Sequence, residues 1–240
     1  KKILKGLAYI PQQPGVFKDM TVEANLELGG WTFRNDKKQV KEKIEINYER
    51  FPVLKEKRKQ ITGELSGGQQ RMVEIGRTLM ADPKMMLIDE PTAGLDVSVQ
   101  GEILNLMNEL QATHGLSYLI ISHNLPVIRH VSDRLAIMYL GRLIEYGNSD
   151  EIFSQPAHPY TEALVNGVPQ PDPNRRRSLV SIEGEVPSLA SRPTGCEFHT
   201  RCKYATNQCR ETRPSMTSIH VNEKERKVAC HYPLVGRRSD

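Results

Sequence analysis

The sequence predicts an α/β fold with a mostly parallel sheet, and three short apolar segments carry that prediction. The segments lie in residues 7–12, 85–88 and 116–121, and amphipathic helical stretches separate them. Continuous apolar runs of this length, bounded by Pro, Gly or acidic residues, are typical of strands buried on both faces of a parallel sheet.

The central run, Met85–Ile88, ends at two acids, Asp89 and Glu90. Open α/β sheets bind ligands at the carboxyl ends of their strands. Two adjacent, half-buried acids are costly unless a cation or a proton transfer uses them. The run therefore predicts a Mg²⁺ site with an adjacent general base. The alternative is a surface strand end with two solvated acids.

Length and composition indicate one large domain, or one domain with an appendage. The chain has 240 residues, of which 38% are hydrophobic, enough to supply a core. No apolar run approaches the roughly 20 residues that a membrane-spanning helix needs. The start at Lys1 shows no secretory signal and no initiator Met, so we expect that the true N-terminus is missing.

Charge and cysteine are concentrated towards the C-terminus. Residues 1–173 contain 20 Lys and Arg against 22 Asp and Glu, whereas residues 174–240 contain 13 against 7. All four cysteines lie within residues 196–230. A basic tail would suit nucleic acid, acidic lipid or an acidic partner, or would be a solvated linker and tail.

The predicted elements follow in order along the chain. A strand over residues 7–12 leads into a loop with Gln12, Thr21 caps a helix, and residues 36–60 form an exposed amphipathic helix with a break at Phe51-Pro52. Ser66 caps a long helix whose first turn contains Gly67 and Gly68. Glycine costs a helix about 1 kcal/mol against alanine. We therefore predict that these glycines let an anion approach the helix N-terminus, the alternative being a flexible cap.

Beyond Glu90, a tight loop ends at Asp96, and a helix over residues 99–110 precedes the strand that ends at Ser122-His123. His123 should therefore lie at the same sheet edge as the acids. A short helix, a hairpin turning at Gly141 and two further helices follow. From Pro169 the chain becomes a linker with Arg175–Arg177, and the remainder has too few apolar residues to hold a core unaided.

Residues 65–96 resemble a known family, the ABC-type ATPases. Leu65–Gln69 resembles their signature motif, Met85–Glu90 their Walker B strand and Gly94–Asp96 their D-loop, while Gln12 and His123 match the Q-loop glutamine and the switch histidine. The resemblance implies a P-loop NTPase-type fold that lacks its N-terminal strands. It assigns residues 1–155 to a partial nucleotide-binding domain with a helical subdomain at about 21–80, and 156–173 to a connecting helix and linker.

The chain from residue 156 onwards resembles a narrower group, in which residues 174–240 correspond to a C-terminal extension. The segments 158–164, 183–188 and 195–202 are similar to the C-terminal extension of oligopeptide/dipeptide importer ATPases. Residues 9–80 are more similar to branched-chain amino-acid importer ATPases. The resemblance implies an ATPase that powers peptide uptake. The alternatives are a branched-chain amino-acid importer, or a non-catalytic fragment with a metal-binding or redox tail.

The resemblance also implies roles for single residues, with ATP and Mg²⁺ as ligands. Asp89 would hold Mg²⁺ through water, Glu90 would be the general base, His123 would contact the γ-phosphate and Gln12 would sense the metal. The residues that would bind the ATP of a partner domain are Ser66, Gly67, Gly68 and Gln69, and Asp96 would contact the facing subunit.

The implied partners are a second ATPase subunit, integral-membrane permease subunits that meet the helices at 21–60 and, indirectly, an extracytoplasmic substrate-binding protein. The implied location is peripheral, on the cytoplasmic face of the cell membrane. Only the basic tail suggests nucleic acid, and we expect no such partner. The sequence contains no Gly-x-x-x-x-Gly-Lys-[Ser/Thr] phosphate loop, so we expect these residues alone to bind ATP poorly.

The four cysteines, Cys196, Cys202, Cys209 and Cys230, indicate a cross-linked or metal-bound tail. Their spacing fits zinc only loosely, because structural zinc sites usually have gaps of about two to four residues. A [4Fe–4S] cluster tolerates wider spacing, and the resemblance associates this extension with such a cluster in some members. Four free thiols are the remaining alternative.

Overall fold

The computed structural model describes residues 6–168, 182–221 and 224–235. The chain divides into two compact units, one ending at Asn124 and the other beginning at Leu125. The predicted linker with its prolines and Arg175–Arg177 lies outside the described residues. In the described part of the chain, no helix is both long and apolar enough to cross a membrane.

A three-stranded parallel sheet forms the centre of the first unit. The strands stand in the order β1-β2-β3, with β1 at Leu7–Ile10, β2 at Met85–Asp89 and β3 at Ser117–Ile121. Register pairs Ile10 with Ile88 and Asp89 with Ile121. The three strands therefore end at one edge, as the sequence predicts.

One face of this sheet is buried and the other is exposed. Met86, Ile88 and Ile10 are at most 2% exposed and pack in the core. On the opposite face Tyr9 is 56% exposed and Leu119 is 51% exposed. The prediction that these strands are buried on both faces is therefore wrong here, because no described element of the first unit covers the second face.

Five α-helices among the described residues complete the first unit: α1 (Val22–Gly29), α2 (Lys37–Arg50), α3 (Pro52–Glu56), α4 (Gly67–Leu79) and α5 (Val97–His114). Thr21, Asp36 and Ser66 each accept a backbone N–H at a helix start. Pro52 begins α3 directly after Phe51, which ends α2, so the lysine-rich stretch is two helices.

The second unit is built on a four-stranded antiparallel sheet in the order β4-β5-β7-β6. Its strands are β4 (Arg134–Tyr139), β5 (Arg142–Asn148), β6 (Thr217–Val221) and β7 (Lys224–Val228), and its helices are α6 (Leu125–Val131), α7 (Ser149–Ser154), α8 (Pro159–Asn166) and α9 (Asn207–Glu211). The sequence predicts an irregular C-terminal extension, and the structure adds to it a hairpin that pairs with β5.

A buried ion pair accompanies this pairing. The side chains of Glu145 on β5 and Arg226 on β7 are fully buried, with Arg226 Nη1 3.7 Å from Glu145 Oε1. Glu145 also accepts hydrogen bonds from the backbone N–H groups of Ala157 and His158, both at 2.9 Å. Burial raises the pKa of Glu145, opposed by these hydrogen bonds and by the charge of Arg226.

Candidate functional site

The edge of the parallel sheet in the first unit gathers four of the predicted site residues. Gln12 follows β1, Asp89 is the last residue of β2 with Glu90 directly beyond it, and His123 follows β3. The Glu90 N–H donates to the carbonyl of Ile121 at 2.8 Å, which continues the strand pairing by one residue. The sheet therefore brings Glu90 and His123 into contact, as their positions after adjacent parallel strands predict.

The carboxylate of Glu90 accepts three hydrogen bonds. Ser122 Oγ donates to Oε2 at 2.8 Å, the His123 backbone N–H donates to Oε1 at 2.9 Å, and His123 Nδ1 lies 2.5 Å from Oε1. The Glu90 side chain is 13% exposed, whereas the His123 side chain is 85% exposed. Glu90 is thus a fixed acceptor, while the far side of the imidazole faces solvent.

The backbone at Glu90 is strained and its charge is stabilised. Its φ is +45°, a left-handed conformation that costs a non-glycine residue roughly 1–3 kcal/mol and is typical of functional sites. Burial acts to raise the pKa of Glu90, but the hydrogen bonds from His123 and Ser122 outweigh it and lower the pKa. Glu90 is therefore ionised at neutral pH, as a general base must be.

The signature helix α4 begins in a capping box. Ser66 Oγ accepts the Gln69 N–H at 3.3 Å, and Gln69 Oε1 accepts the Ser66 N–H at 3.3 Å. Gln69 is therefore engaged in the cap, which leaves the exposed Ser66 and Gly67 as the surface of this helix end. A helix N-terminus whose hydroxyl and N–H groups lie at the surface favours an anion.

Gly68 has a packing reason to lack a side chain. A Cβ at Gly68 would stand 2.2 Å from Val99 Cγ1 on α5, so only glycine fits. A Cβ at Gly67 would meet Leu95 of the D-loop segment at 3.3 Å. The structure thus connects the signature motif to the segment that carries Asp96. Asp96 itself is exposed and makes no side-chain cap to α5.

Sequence reasoning missed three side chains around this site. Ser122 donates a hydrogen bond to Glu90. Arg71 and Glu74 form a buried ion pair, and Arg71 also donates a hydrogen bond to the carbonyl of Gln12. The signal for Ser122 was a hydroxyl directly before the strand-end histidine. The signal for the pair was two charges that fall on the apolar side of an amphipathic helix.

The second unit places all four cysteines around one small cavity. Cys196, Cys202, Cys209 and Cys230 line it, and no disulfide joins them. The rings of His158 and Phe198 complete its wall with other residues. The Cys196 N–H donates to the Cys209 carbonyl at 2.8 Å, which brings the segments that carry these two cysteines together. The sequence spacing alone did not predict this convergence.

The cavity favours protonated thiols until a cation is present. Burial, with smaller contributions from the other cysteines, raises the pKa of Cys230 to about 11. Burial likewise raises the pKa of Cys196. Within the described residues, no three His, Cys, Asp or Glu side chains are arranged to hold a single metal ion.

Two protein families match the sequence. The family described as "ABC transporter" matches residues 1–93. The family described as "Oligopeptide/dipeptide transporter, C-terminal region" matches residues 144–209.

Curated relatives carry peptide-transport names. The chain is 44% identical over 185 residues to the dipeptide transport ATP-binding protein DppF of Haemophilus influenzae, covering 77% of this chain and 53% of the relative. It is 46% identical over 153 residues to the oligopeptide transport ATP-binding protein OppF of Salmonella typhimurium, covering 63% and 46%. The chain thus spans about half the length of these relatives.

Solved structures are similar to this chain in fold and in sequence. MJ1267, an ATP-binding cassette of an ABC transporter, superposes with a TM-score of 0.59 at 32% identity, covering 68% of this chain and 69% of MJ1267. CbiO1 of Clostridium perfringens, part of the ABC transporter complex cbiONQ, has a TM-score of 0.59 at 27% identity, covering 64% and 61%. The chain belongs to the family of ATP-binding cassettes of ABC transporters.

Proposed function

We propose that this chain hydrolyses ATP as part of the ATP-binding subunit of an importer for oligopeptides or dipeptides. The observation that carries the proposal is the ionised Glu90, held at the end of β2 by Ser122 and His123. The names of the relatives and the match to the oligopeptide/dipeptide C-terminal region support the substrate class.

Glu90 would take the proton of the attacking water. Its Oε1 is held by His123 and its Oε2 by Ser122, so the carboxylate is positioned before substrate binds. The exposed imidazole of His123 would reach the γ-phosphate, and the half-buried Asp89 would hold Mg²⁺ through water. Mg²⁺ would neutralise the charge that develops on the phosphate oxygens.

Ser66, Gly67 and Gly68 would bind the ATP of a second subunit, and Asp96 would contact that subunit. Ser66, Gly67 and Asp96 are exposed, which suits a surface that another chain covers. Membrane permease subunits would meet the helices between residues 21 and 60. The proposed location is peripheral, at the cytoplasmic face of the membrane.

The test is Glu90→Gln in the transporter complex, reconstituted in liposomes with its permease. Removing the general base should lower ATP turnover by about 10²- to 10⁴-fold while ATP affinity stays within twofold. The matched control is Glu102→Gln, because Glu102 is exposed on α5. Equal loss of affinity and turnover would contradict the role of Glu90 as base.

The same complex tests the substrate. Dipeptides or oligopeptides, delivered by the binding protein, should stimulate ATP hydrolysis, and branched-chain amino acids should not. Stimulation by leucine and valine alone would favour the alternative that residues 9–80 suggest. No stimulated hydrolysis by either would favour a non-catalytic fragment.

We further propose that the four cysteines hold a [4Fe–4S] cluster. The convergence of Cys196, Cys202, Cys209 and Cys230 on one cavity supports this proposal. Cluster iron would keep as thiolates the sulfurs of Cys196 and Cys230, whose protonated forms burial favours. The cluster would cross-link a segment that is poor in apolar residues.

Anaerobic purification with iron, sulfide and zinc assays tests the cluster. About four irons and four sulfides per chain are expected. Cys209→Ser should lower both, whereas Ser132→Ala, at a serine distant from the cavity in sequence, should not. A colourless protein with stoichiometric zinc would overturn the proposal.

A further inference from the structure

The loop that carries Gln12 has no regular backbone pairing of its own, and side chains of the signature helix α4 hold it. Arg71 Nη1 donates to the Pro11 carbonyl at 2.8 Å, and Arg71 Nη2 donates to the Gln12 carbonyl at 2.6 Å. Glu74 Oε1 accepts the Gly15 N–H at 2.8 Å. Backbone groups that lack a ladder partner are thus satisfied from one helix.

The two side chains also hold each other. Arg71 Nη1 donates to Glu74 Oε2 at 2.8 Å, and each side chain is only 2% exposed. One planar guanidinium therefore bridges two carbonyls and a carboxylate in fixed geometry, which an ammonium group cannot reproduce. Arg77 adds a further bond, from Nη2 to the Gly15 carbonyl at 2.7 Å. Arg71 and Glu74 are named here the Arg71–Glu74 clasp.

The clasp fixes the backbone of Gln12 and leaves its side chain in solvent. The Gln12 carbonyl is bonded to a buried guanidinium, while the residue itself is exposed. Five residues before Arg71, the hydroxyl of Ser66 caps the same helix. A rotation of α4 must therefore carry the backbone of Gln12 with it unless these hydrogen bonds break.

We propose that Arg71 and Glu74 are positioning residues that couple Gln12 to the signature helix. The inference rests on the proposed ATPase function and deepens it. Through the clasp, the glutamine that reads the metal at the chain's own nucleotide moves as one body with the serine that binds the partner's nucleotide. Without the clasp, Gln12 and Ser66 keep their positions, but a movement of α4 no longer carries the backbone of Gln12 with it.

The variant Arg71→Met/Glu74→Leu removes the clasp without leaving a buried charge. Replacing a buried ion pair by apolar side chains of similar volume is often neutral for stability, so this double variant should fold. The matched control is Lys84→Met/Glu102→Leu, which removes one cation and one anion at exposed positions of the same unit.

The first measurement is amide hydrogen exchange on this chain without nucleotide. In the clasp variant the Gly15 amide should exchange at least about tenfold faster, because its acceptor is gone. The Gln70 amide, which donates to the Ser66 carbonyl at 2.9 Å within α4, should keep its rate. Unchanged exchange at Gly15 would overturn the clasp whether or not the chain hydrolyses ATP.

The second measurement is ATP hydrolysis by the transporter complex as a function of Mg²⁺. The clasp variant should need roughly tenfold more Mg²⁺ for half-maximal rate, the size of effect usual for groups that orient a metal-contacting residue. The KM for ATP at saturating Mg²⁺ and the melting temperature should match the control. A lower rate with unchanged Mg²⁺ dependence would show a merely structural role and overturn the coupling.

The two arms separate the inference from the proposed function. If the parent complex hydrolyses no ATP, the proposed function fails while the exchange result still decides whether the clasp holds the loop. If the parent hydrolyses ATP and the clasp variant responds to Mg²⁺ as the parent does, the proposed function stands and the coupling fails.

Discussion

Acidification should destabilise the second unit through His158. This residue is 1% exposed, and its Nδ1 accepts the Tyr160 N–H at 3.0 Å, which caps α8. Burial lowers the pKa of His158 to about 4. The ring is therefore neutral in the folded chain at every pH at which the unit is expected to be stable.

The size of the effect follows from linkage. In the unfolded chain the pKa of histidine is about 6.5, so the unfolded state binds a proton between pH 6.5 and 4 that the folded state does not. Stability is full above pH 6.5 and falls as the pH drops towards 4. The loss is about 2 kcal/mol at pH 5 and about 3 kcal/mol near pH 4.

The control is His158→Asn, because an Asn side chain accepts the Tyr160 N–H in the same way and does not titrate. The readout is the opening free energy of the Ala229 amide from hydrogen exchange, since its 2.8 Å bond to the Ile144 carbonyl lies within the second unit. Between pH 7 and pH 5 the parent should lose about 2 kcal/mol more than the Asn variant. Equal losses would refute the reasoning.

Three further substitutions test the backbone of the second unit. Leu140 stands at φ +45° beside Gly141 in the β4–β5 turn, so Leu140→Asn should raise the unfolding free energy by roughly 0.5–1 kcal/mol in urea titrations. Gly147→Ala should lower it by about 1–3 kcal/mol, because its Cβ would lie 2.6 Å from the buried Arg226 Cβ. The control is Gly101→Ala on α5 of the first unit, where a Cβ would meet nothing within 4 Å and should not lower the unfolding free energy. Gly195→Ala should abolish iron binding measured by metal assay, because its Cβ would lie 2.4 Å from the Cys209 carbonyl oxygen; full iron content would contradict this.

The sheet edge was predictable because its signal is local. An apolar run that stops at Asp89-Glu90 and another that stops at Ser122-His123 define strand ends without any knowledge of distant contacts. Parallel pairing then places the ends together, and the register of Asp89 with Ile121 confirms it. The exposed second face was not predictable, since an apolar strand gives no sign of which neighbours are present.

Strand β7 was not predictable, because its inward residues do not form an apolar pattern. The run Lys224–Val228 contains four charged residues, yet Val228 is fully buried and Arg226 is 1% exposed. The buried Arg226 is stabilised because it forms an ion pair with Glu145 and donates hydrogen bonds to the carbonyls of Glu151 and Gln155. A pattern based on hydrophobicity alone assigns such a run to a solvated tail.

The glycines of the signature motif show a second limit of sequence reasoning. Bare backbone at a helix start suggests an anion, and that prediction remains for Gly67, which is exposed. Gly68 lacks a side chain for another reason, because Val99 occupies the space that its Cβ would fill. A residue on a different helix, thirty-one positions later, determines this requirement, so no local pattern contains it.

Solvent exposure supplies an argument for a second subunit that is independent of any resemblance. Charge on a transferring phosphate is stabilised best where water is excluded and the local dielectric is low. In this chain the His123 side chain is 85% exposed, and Gln12, Ser66 and Asp96 are exposed as well. Glu90, at 13%, is already shielded and fixed. The proposed base is thus already shielded within one chain, whereas the groups proposed to contact phosphate and metal would become shielded only when another surface closes over them. We therefore expect ATP turnover to rise with the second power of subunit concentration below the dimerisation constant, and a first-order dependence throughout would contradict this argument.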